Sequence, residues 1–258
     1  PLSGKIRASG NKNAALPCIA AALLTDDEVI LRNVPDIEDV GVMLEIMKAV
    51  GADVKKLEPN VYSLRTRDIK DYEIPMDLAK QVRASILFAG PMLSRTGKVI
   101  LPPPGGDVIG RRRLDTHFIA FSELGARVEV DGVFRLSANK LVGVDLFLDE
   151  ASVTAPENAV MAAVMASGKT VIQNAASEPH VQDLCRMLCC MGAKITGIGS
   201  NILHIEGVEK LGGCDVSIGC DFMEVGSLIG LAAVTRGEVE IENASPNDLR
   251  MTKIAFSK

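Results

Sequence analysis

Two hydrophobic patterns take turns along this chain. Four stretches are apolar or small at nearly every position: Ala14–Leu24, Ala84–Leu93, Ala159–Ala166 and Gly226–Val234. Such stretches predict helices buried on all sides rather than surface helices with one wet face. Each is followed by a polar turn: Thr25-Asp26-Asp27, Ser94-Arg95-Thr96-Gly97, Ser167-Gly168-Lys169 and Thr235-Arg236-Gly237. After each turn comes a short β-branched run with a polar exit: Val29–Asn33, Val99–Pro102, Val171–Asn174 and Val239–Asn243. These read as strands. A second helix follows. In three places it ends in Gly-Ala and a further strand, at Val50–Val54, Leu124–Val128 and Met191–Ile195. The glycine suits a left-handed helix C-terminus, where a side chain would clash.

The pattern is therefore a repeat. Asn33, Asn174 and Asn243 hold equivalent places, 141 and 69 residues apart, so the unit is about 70 residues. Each unit reads β-α-β-α-β-β or a permutation of it, in an α/β (α+β) chain. The helices are rich in Ala, Gly and Met and poor in aromatics. That composition allows close helix–helix contact, with helices inside and sheets outside. The fourth unit stops near Lys258, in its second helix, and the expectation is a fragment of a longer protein.

Composition narrows the classes. With 258 residues and 47% apolar content the chain can bury a large core. A net charge of −5 gives no basic face for nucleic acid. No apolar run reaches the roughly 18–20 residues that a membrane helix needs. The six cysteines, Cys18, Cys185, Cys189, Cys190, Cys214 and Cys220, form no C-x-x-C pair, and three histidines are too few for a zinc set. They read as buried free thiols in a reducing cytoplasm, and no cofactor or metal is expected.

The candidate chemistry is cationic. Ser9-Gly10-Asn11-Lys12-Asn13-Ala14-Ala15-Leu16-Pro17 is a turn opening into an apolar helix. A helix start already favours negative charge, and Lys12 adds a point donor for phosphate or carboxylate. Arg111-Arg112-Arg113 follow a Gly-Gly loop in an otherwise acidic chain.

Three strings together carry a resemblance: Ser9–Pro17, Val82-Arg83-Ala84-Ser85-Ile86, and Pro104-Gly105-Gly106-Asp107-Val108-Ile109-Gly110-Arg111-Arg112. With the repeat, the chain resembles the enolpyruvyl transferase family, in the branch that uses UDP-N-acetylglucosamine. The resemblance implies two domains, each an inside-out α/β barrel of three repeats, with the active site in the cleft between them. Residues 12–218 would be one complete domain. Residues 1–11 and 219–258 would be incomplete parts of the second, whose remainder would be this chain's partner. The implied reaction moves enolpyruvate from phosphoenolpyruvate to the sugar 3-hydroxyl and releases phosphate. It is a cytoplasmic step that opens peptidoglycan synthesis, and so serves cell-wall growth, cell shape and division.

By the same resemblance, Lys12, Asn13, Arg83 and Arg112 meet phosphoenolpyruvate, and Lys12 and Asp107 are catalytic. Asp107 stands where most of the family carries a cysteine general acid, which implies insensitivity to fosfomycin-type epoxides. The nucleotide sugar falls to Asn13, Arg83, Arg112, Arg113, Leu114, Asp115 and Thr116, and to Glu150, Ala151, Ser152, Val153 and Thr154. Asp115 would accept from the uracil N–H. His117 is expected to be structural. Arg113 departs from the family's proline and Thr154 from its glycine, so a crowded turn is expected at Thr154. Phe222 or Met223 replaces an arginine usual before Glu224. Two alternatives stay open: a shikimate-using enolpyruvyl transferase, disfavoured by Lys12-Asn13, and a non-catalytic relative that binds a nucleotide sugar.

Overall fold

The computed structural model describes residues 1–106, 110 and 113–258. The first unit runs β1 (Ser3–Arg7), α1 (Lys12–Ala21), β2 (Val29–Arg32), α2 (Glu38–Ala49), β3 (Asp53–Glu58) and β4 (Val61–Arg65). The second runs α3 (Met76–Ala79), a 3-10 turn (Arg83–Phe88) leading into α4 (Ala89–Thr96), β5 (Lys98–Leu101), α5 (Asp115–Glu123), β6 (Arg127–Val130) and β7 (Phe134–Ser137). The third runs β8 (Asp145–Phe147), α6 (Thr154–Ala163), β9 (Lys169–Gln173), α7 (Pro179–Cys190), β10 (Lys194–Thr196) and β11 (Ile202–Glu206). Then come β12 (Cys214–Ser217), α8 (Phe222–Thr235), β13 (Glu238–Glu242) and α9 (Arg250–Phe256).

The fold is α/β, and the repeat shows in its sheets. Their strand orders are β12-β2-β4-β3, β5-β7-β6, β10-β11-β9-β8 and β1-β13. A parallel partner sits beside the central strand each time: β12 beside β2, β8 beside β9, β1 beside β13. In the second unit a single parallel bridge, Glu73 to Ile100, takes that place. The remaining strands return antiparallel, as hairpins.

Local chemistry explains the boundaries. Gly51, Gly125 and Gly192 follow the second helices with φ of 108°, 94° and 104°, a region that side chains rarely enter. Asn33, Asn174 and Asn243 leave the central strands with φ of 57°, 59° and 63°. Asparagine tolerates this turn because its side chain can bond locally. Here it also clips the neighbouring segment. Nδ2 donates to the carbonyls of Ile218, Leu148 and Ala8 at 2.9, 2.9 and 3.4 Å.

The helices α1 and α6 lie at the centre. Every residue of Ala14–Ala21 and of Ala155–Ala163 is buried. The strands bury alternate residues and expose the others, as in β11. One continuous apolar core runs from Ala14 to Ile218. A second, of Ala8, Cys220, Val225 and Leu249, lies under β13 and α8.

Three features differ from expectation. The first half of the Ala84–Leu93 helix is a 3-10 turn, where Ser85 Oγ bonds the Val82 carbonyl at 2.9 Å. Helix α6 begins at Thr154, five residues before the apolar run that announces it. The cysteines are all free, but Cys190 at the end of α7 is exposed, and Cys189 and Cys214 are half-buried.

Candidate active site

The strand β1 does not join the sheet of its own unit. It pairs with β13, and β12 takes its place beside β2. The chain therefore crosses twice between the two cores, and the crossings bond each other. Asn11 N–H donates to the Gly219 carbonyl at 2.8 Å, and Asp221 N–H to that of Ser9 at 2.8 Å. Gly10 fits there because a Cβ would lie 1.7 Å from the Asn33 carbonyl oxygen. Asn11 then caps α1, its Oδ1 accepting from Ala14 N–H at 3.2 Å.

A cleft of about 720 Å³ opens at this crossing, lined by residues that include Arg7, Ser9, Lys12, Asp36, Asp39, Asp221 and Glu224. Lys12 is half-exposed on the first turn of α1, with Asn13 half-buried beside it. The Lys12 ammonium donates to Asp39 Oδ2, on α2, at 2.9 Å. Glu224 Oε2 accepts from Ser9 N–H at 2.8 Å. Phe222 stacks on His180, ring centroids 6.1 Å apart and 2° from parallel, while Met223 is exposed. Neither supplies a cation to this cleft.

The other predicted residues gather around α5 and the start of α6. The loop through Gly105-Gly106 lies along the end of α3. Gly105 and Gly106 N–H donate to the carbonyls of Ala79 and Lys80 at 3.0 and 3.2 Å. A Cβ on Gly105 would lie 1.7 Å from the Lys80 oxygen, so only glycine fits. This brings Gly106 against Arg83. Arg83 Nη2 donates to the Arg113 carbonyl at 3.1 Å. Arg113 Nε donates to Asp115 Oδ2 at 2.8 Å, and its Nη2 lies 3.6 Å from Asp149. Thr116 donates to Asp149 Oδ1 at 2.8 Å. Leu114, half-buried, directly precedes α5. Asp115 thus spends one oxygen on Arg113, and no hydrogen bond from the described residues takes the other. The expectations for Asp107 and Arg112 lie outside the described residues.

Glu150 and Ala151 are exposed, and Ser152, Val153 and Thr154 half-buried. Ser152 Oγ accepts from Ala155 N–H at 3.3 Å, closing the first turn of α6. Thr154 has helical backbone as the first residue of α6. Its Oγ1 lies 3.1 Å from Nε2 of His117. His117 is buried. Loss of solvent, with help from the Arg83 cation, pushes its pKa down to about 3. The ring is neutral at physiological pH and holds its neighbours in place, as expected.

Sequence reasoning missed three residues. Asp39 holds Lys12, Asp149 joins Thr116 to Arg113, and Asn158 bonds His117 at 3.0 Å. Asp39 looks like an ordinary acidic first turn of a helix. Asn158 leaves a clearer trace, an amide inside an otherwise apolar helix.

The sequence profile described as EPSP synthase (3-phosphoshikimate 1-carboxyvinyltransferase) matches residues 1–258. The chain belongs to the EPSP synthase family. Within that family it is 63% identical, over all 258 residues, to a protein of Treponema denticola named UDP-N-acetylglucosamine 1-carboxyvinyltransferase. It is 57% identical to one of the same name from Borreliella burgdorferi. It spans 61% and 60% of their lengths, so about three-fifths of the curated relatives it matches. Among solved structures, the enolpyruvyl transferase NikO from Streptomyces tendae shares 26% identity at a TM-score of 0.76, over 88% of this chain and 54% of that one. The EPSP synthase of Acinetobacter baumannii shares 18% at 0.78, over 98% of this chain and 58% of that one, a likeness of fold. Among the described residues, no helix is long and apolar enough to cross a membrane.

Proposed function

We propose that this chain is the greater part of an enzyme that moves enolpyruvate from phosphoenolpyruvate to the 3-hydroxyl of UDP-N-acetylglucosamine, releasing phosphate, at the entry to peptidoglycan synthesis. The observation that carries this is the 63% identity, through the whole chain, to a protein named for that transfer. Residues 12–218 form one complete inside-out α/β barrel of three repeats, helices within and sheets outside. Its support is the single core from Ala14 to Ile218 around the buried α1 and α6. Residues 1–11 and 219–258 belong to a second domain, whose remainder is the chain's partner. The active site lies between the two, where the cleft opens. The enzyme works in the cytoplasm.

The chemistry asks for cations around a phosphate and a carboxylate, and for a proton donor at the methylene carbon. Lys12 lines the cleft at the start of α1, and Asn13 follows it on the same helix turn. Arg83 and Arg112 hold the anions, and Arg's planar fork suits both groups. The Arg113–Thr116 and Glu150–Thr154 segments hold the nucleotide. Lys12 is drawn off Asp39 when the substrate anion arrives. The exposed pair is worth about 1 kcal/mol at most, so the exchange is cheap.

Asp107 is the general acid. A free aspartic acid titrates near pH 4, so holding it half protonated at pH 7 takes a shift of about three units, roughly 4 kcal/mol. The arginines that follow it in sequence would oppose that shift, and bound phosphoenolpyruvate, bringing negative charge into the site, would supply it. A carboxylate is also a poor nucleophile beside a thiolate. Wild type therefore resists fosfomycin-type epoxides, and Asp107→Cys stays active and becomes sensitive. Asp107→Asn loses about 10²–10⁴-fold in turnover and still binds the nucleotide sugar. Retention of more than about a tenth of wild-type turnover removes Asp107 from the role.

The deciding experiment is phosphate release by the native gene product that carries this chain. Release is expected only when phosphoenolpyruvate and UDP-N-acetylglucosamine are both present. Release with shikimate 3-phosphate instead selects the sister activity. Tight nucleotide-sugar binding with no release selects a non-catalytic relative.

A further inference from the structure

The direction of the Thr154 hydroxyl is set from behind by two buried side chains. Asn158, one turn along α6, is fully buried. Its Oδ1 accepts from Gly90 N–H at 3.0 Å, and its Nδ2 donates to the Ile86 carbonyl at 2.8 Å. These two bonds fix which end of the amide is nitrogen. The second Nδ2 hydrogen then points at His117 Nδ1, 3.0 Å away. An N–H needs a lone pair, so Nδ1 carries none of the ring's protons and Nε2 carries the one present. Nε2–H donates to Thr154 Oγ1 at 3.1 Å. A cationic ring would set a second N–H against the amide N–H, and burial keeps the ring neutral. The Thr154 oxygen thus has a donor already, and its own hydrogen remains to be given. Among the described residues no hydrogen bond takes it. Ser152, two residues earlier, also accepts a backbone N–H, and among the described residues no hydrogen bond takes its hydroxyl hydrogen.

We propose that Asn158 and His117 are positioning residues that hold the Thr154 hydroxyl as a hydrogen-bond donor to an acceptor-only oxyanion of the substrate, the diphosphate of the nucleotide sugar. The inference rests on the function proposed above. Backbone N–H groups at a helix start favour the same charge, and the relay adds a donor whose sense is fixed. A hydroxyl free to rotate would spend part of its time presenting a lone pair to the anion. The chain Asn158–His117–Thr154 removes that choice.

Two measurements test it. In ¹⁵N NMR of the wild type, the His117 proton is expected on Nε2, with the ring neutral through about pH 5–8, where an ordinary histidine changes charge. A proton on Nδ1, or a cationic ring in that range, overturns the relay whatever the activity. Thr154→Val keeps the side chain's shape and removes the donor. It is expected to raise KM for UDP-N-acetylglucosamine about ten- to a hundredfold, the loss of one hydrogen bond to a charged acceptor. KM for phosphoenolpyruvate and kcat should stay within about threefold, and Thr154→Ser should restore the wild-type KM. An unchanged nucleotide-sugar KM, or a rise for phosphoenolpyruvate instead, overturns the assignment. A wild type with no turnover defeats the proposed function alone. The donor is then read by calorimetric titration with UDP, where equal affinities for wild type and Thr154→Val overturn it.

Discussion

Two buried titratable side chains pull the stability of this chain in opposite directions. His117 has an ordinary value of 6.5 and a folded value of about 3. The unfolded ring binds a proton below pH 6.5 and the folded ring only near pH 3. Its contribution to stability is complete above pH 6.5 and is lost as pH falls between those values, at up to about 1.4 kcal/mol per pH unit. Denaturant titrations at a series of pH values should show His117→Gln with a shallower acid slope than wild type. His180 adds to the slope with the same sign, since burial also lowers it. Glu157 is the reverse case. It is completely buried on α6, one carboxyl oxygen has no hydrogen-bond partner among the described residues, and loss of solvent raises its pKa well above the ordinary value. The folded carboxyl stays neutral where the unfolded one ionises. Its contribution is complete below about pH 4.5 and falls as pH rises. Glu157→Gln removes that fall, so the variant should gain stability over wild type by about 1 kcal/mol or more near pH 8, and less near pH 5. Equal gains at both pH values would mean that the carboxyl is already ionised in the fold.

At the scale of the element, the asparagine clips make each repeat close. Asn174 leaves β9 in left-handed backbone and holds the Leu148 carbonyl beyond β8 at 2.9 Å. Two costs should separate there. Asn174→Gly keeps the backbone at ease and loses the bond, about 1 kcal/mol. Asn174→Ala loses the bond and also strains the backbone, about 1–2 kcal/mol more. Thermal unfolding of the pair ranks them, and a glycine variant worse than alanine contradicts the account. These asparagines were legible in the sequence because a left-handed exit narrows the choice of residue at each one. The Gly-Ala helix ends at Gly51, Gly125 and Gly192 were legible for the same reason. The start of α6 was not. Thr154, Ala155 and Pro156 carry no apolar period, and Ser152 rather than a helix former closes the turn. The 3-10 character of Arg83–Phe88 was hidden too, since its residues suit an α-helix equally well and only the Ser85 bonds divert them. In the site, the cations could be read from their strings, but the distant carboxylates that hold Lys12 and Thr116 could not. Asp39 lies 27 residues from Lys12, and Asp149 lies 33 from Thr116. Only the fold brings such pairs together.

The whole molecule is unevenly stabilised, because the exchange of β1 for β12 divides it into a large core and a small one. The large core contains α1, α4, α6 and the sheets around them. The small one has four buried apolar residues, Ala8, Cys220, Val225 and Leu249, with Phe222, Ile229, Ile241 and Ala244 against it. Burial of a large apolar side chain contributes about 1.5–3 kcal/mol, so so small a cluster supports little beyond its own ordering cost. No residue of α9 is buried, and α8 buries only Val225. What ties this region down is the crossing: five parallel pairs between β1 and β13, and the bonds of Asn11 to Gly219 and Asp221 to Ser9. Local opening free energies should follow that division. In hydrogen exchange on this chain by itself, amides of β13 and α8 should exchange far sooner than those of α1, α6 and β9. The amides of Asn11 and Asp221 should fall between, because they bond the two crossing segments to each other. Gly10→Ala should change the ranking, since its Cβ has no room beside the Asn33 carbonyl. Loosening the crossing removes the support of the small core, so β13 should exchange faster while α6 keeps its protection. If α6 and β13 instead accelerate together, the two cores open as one unit.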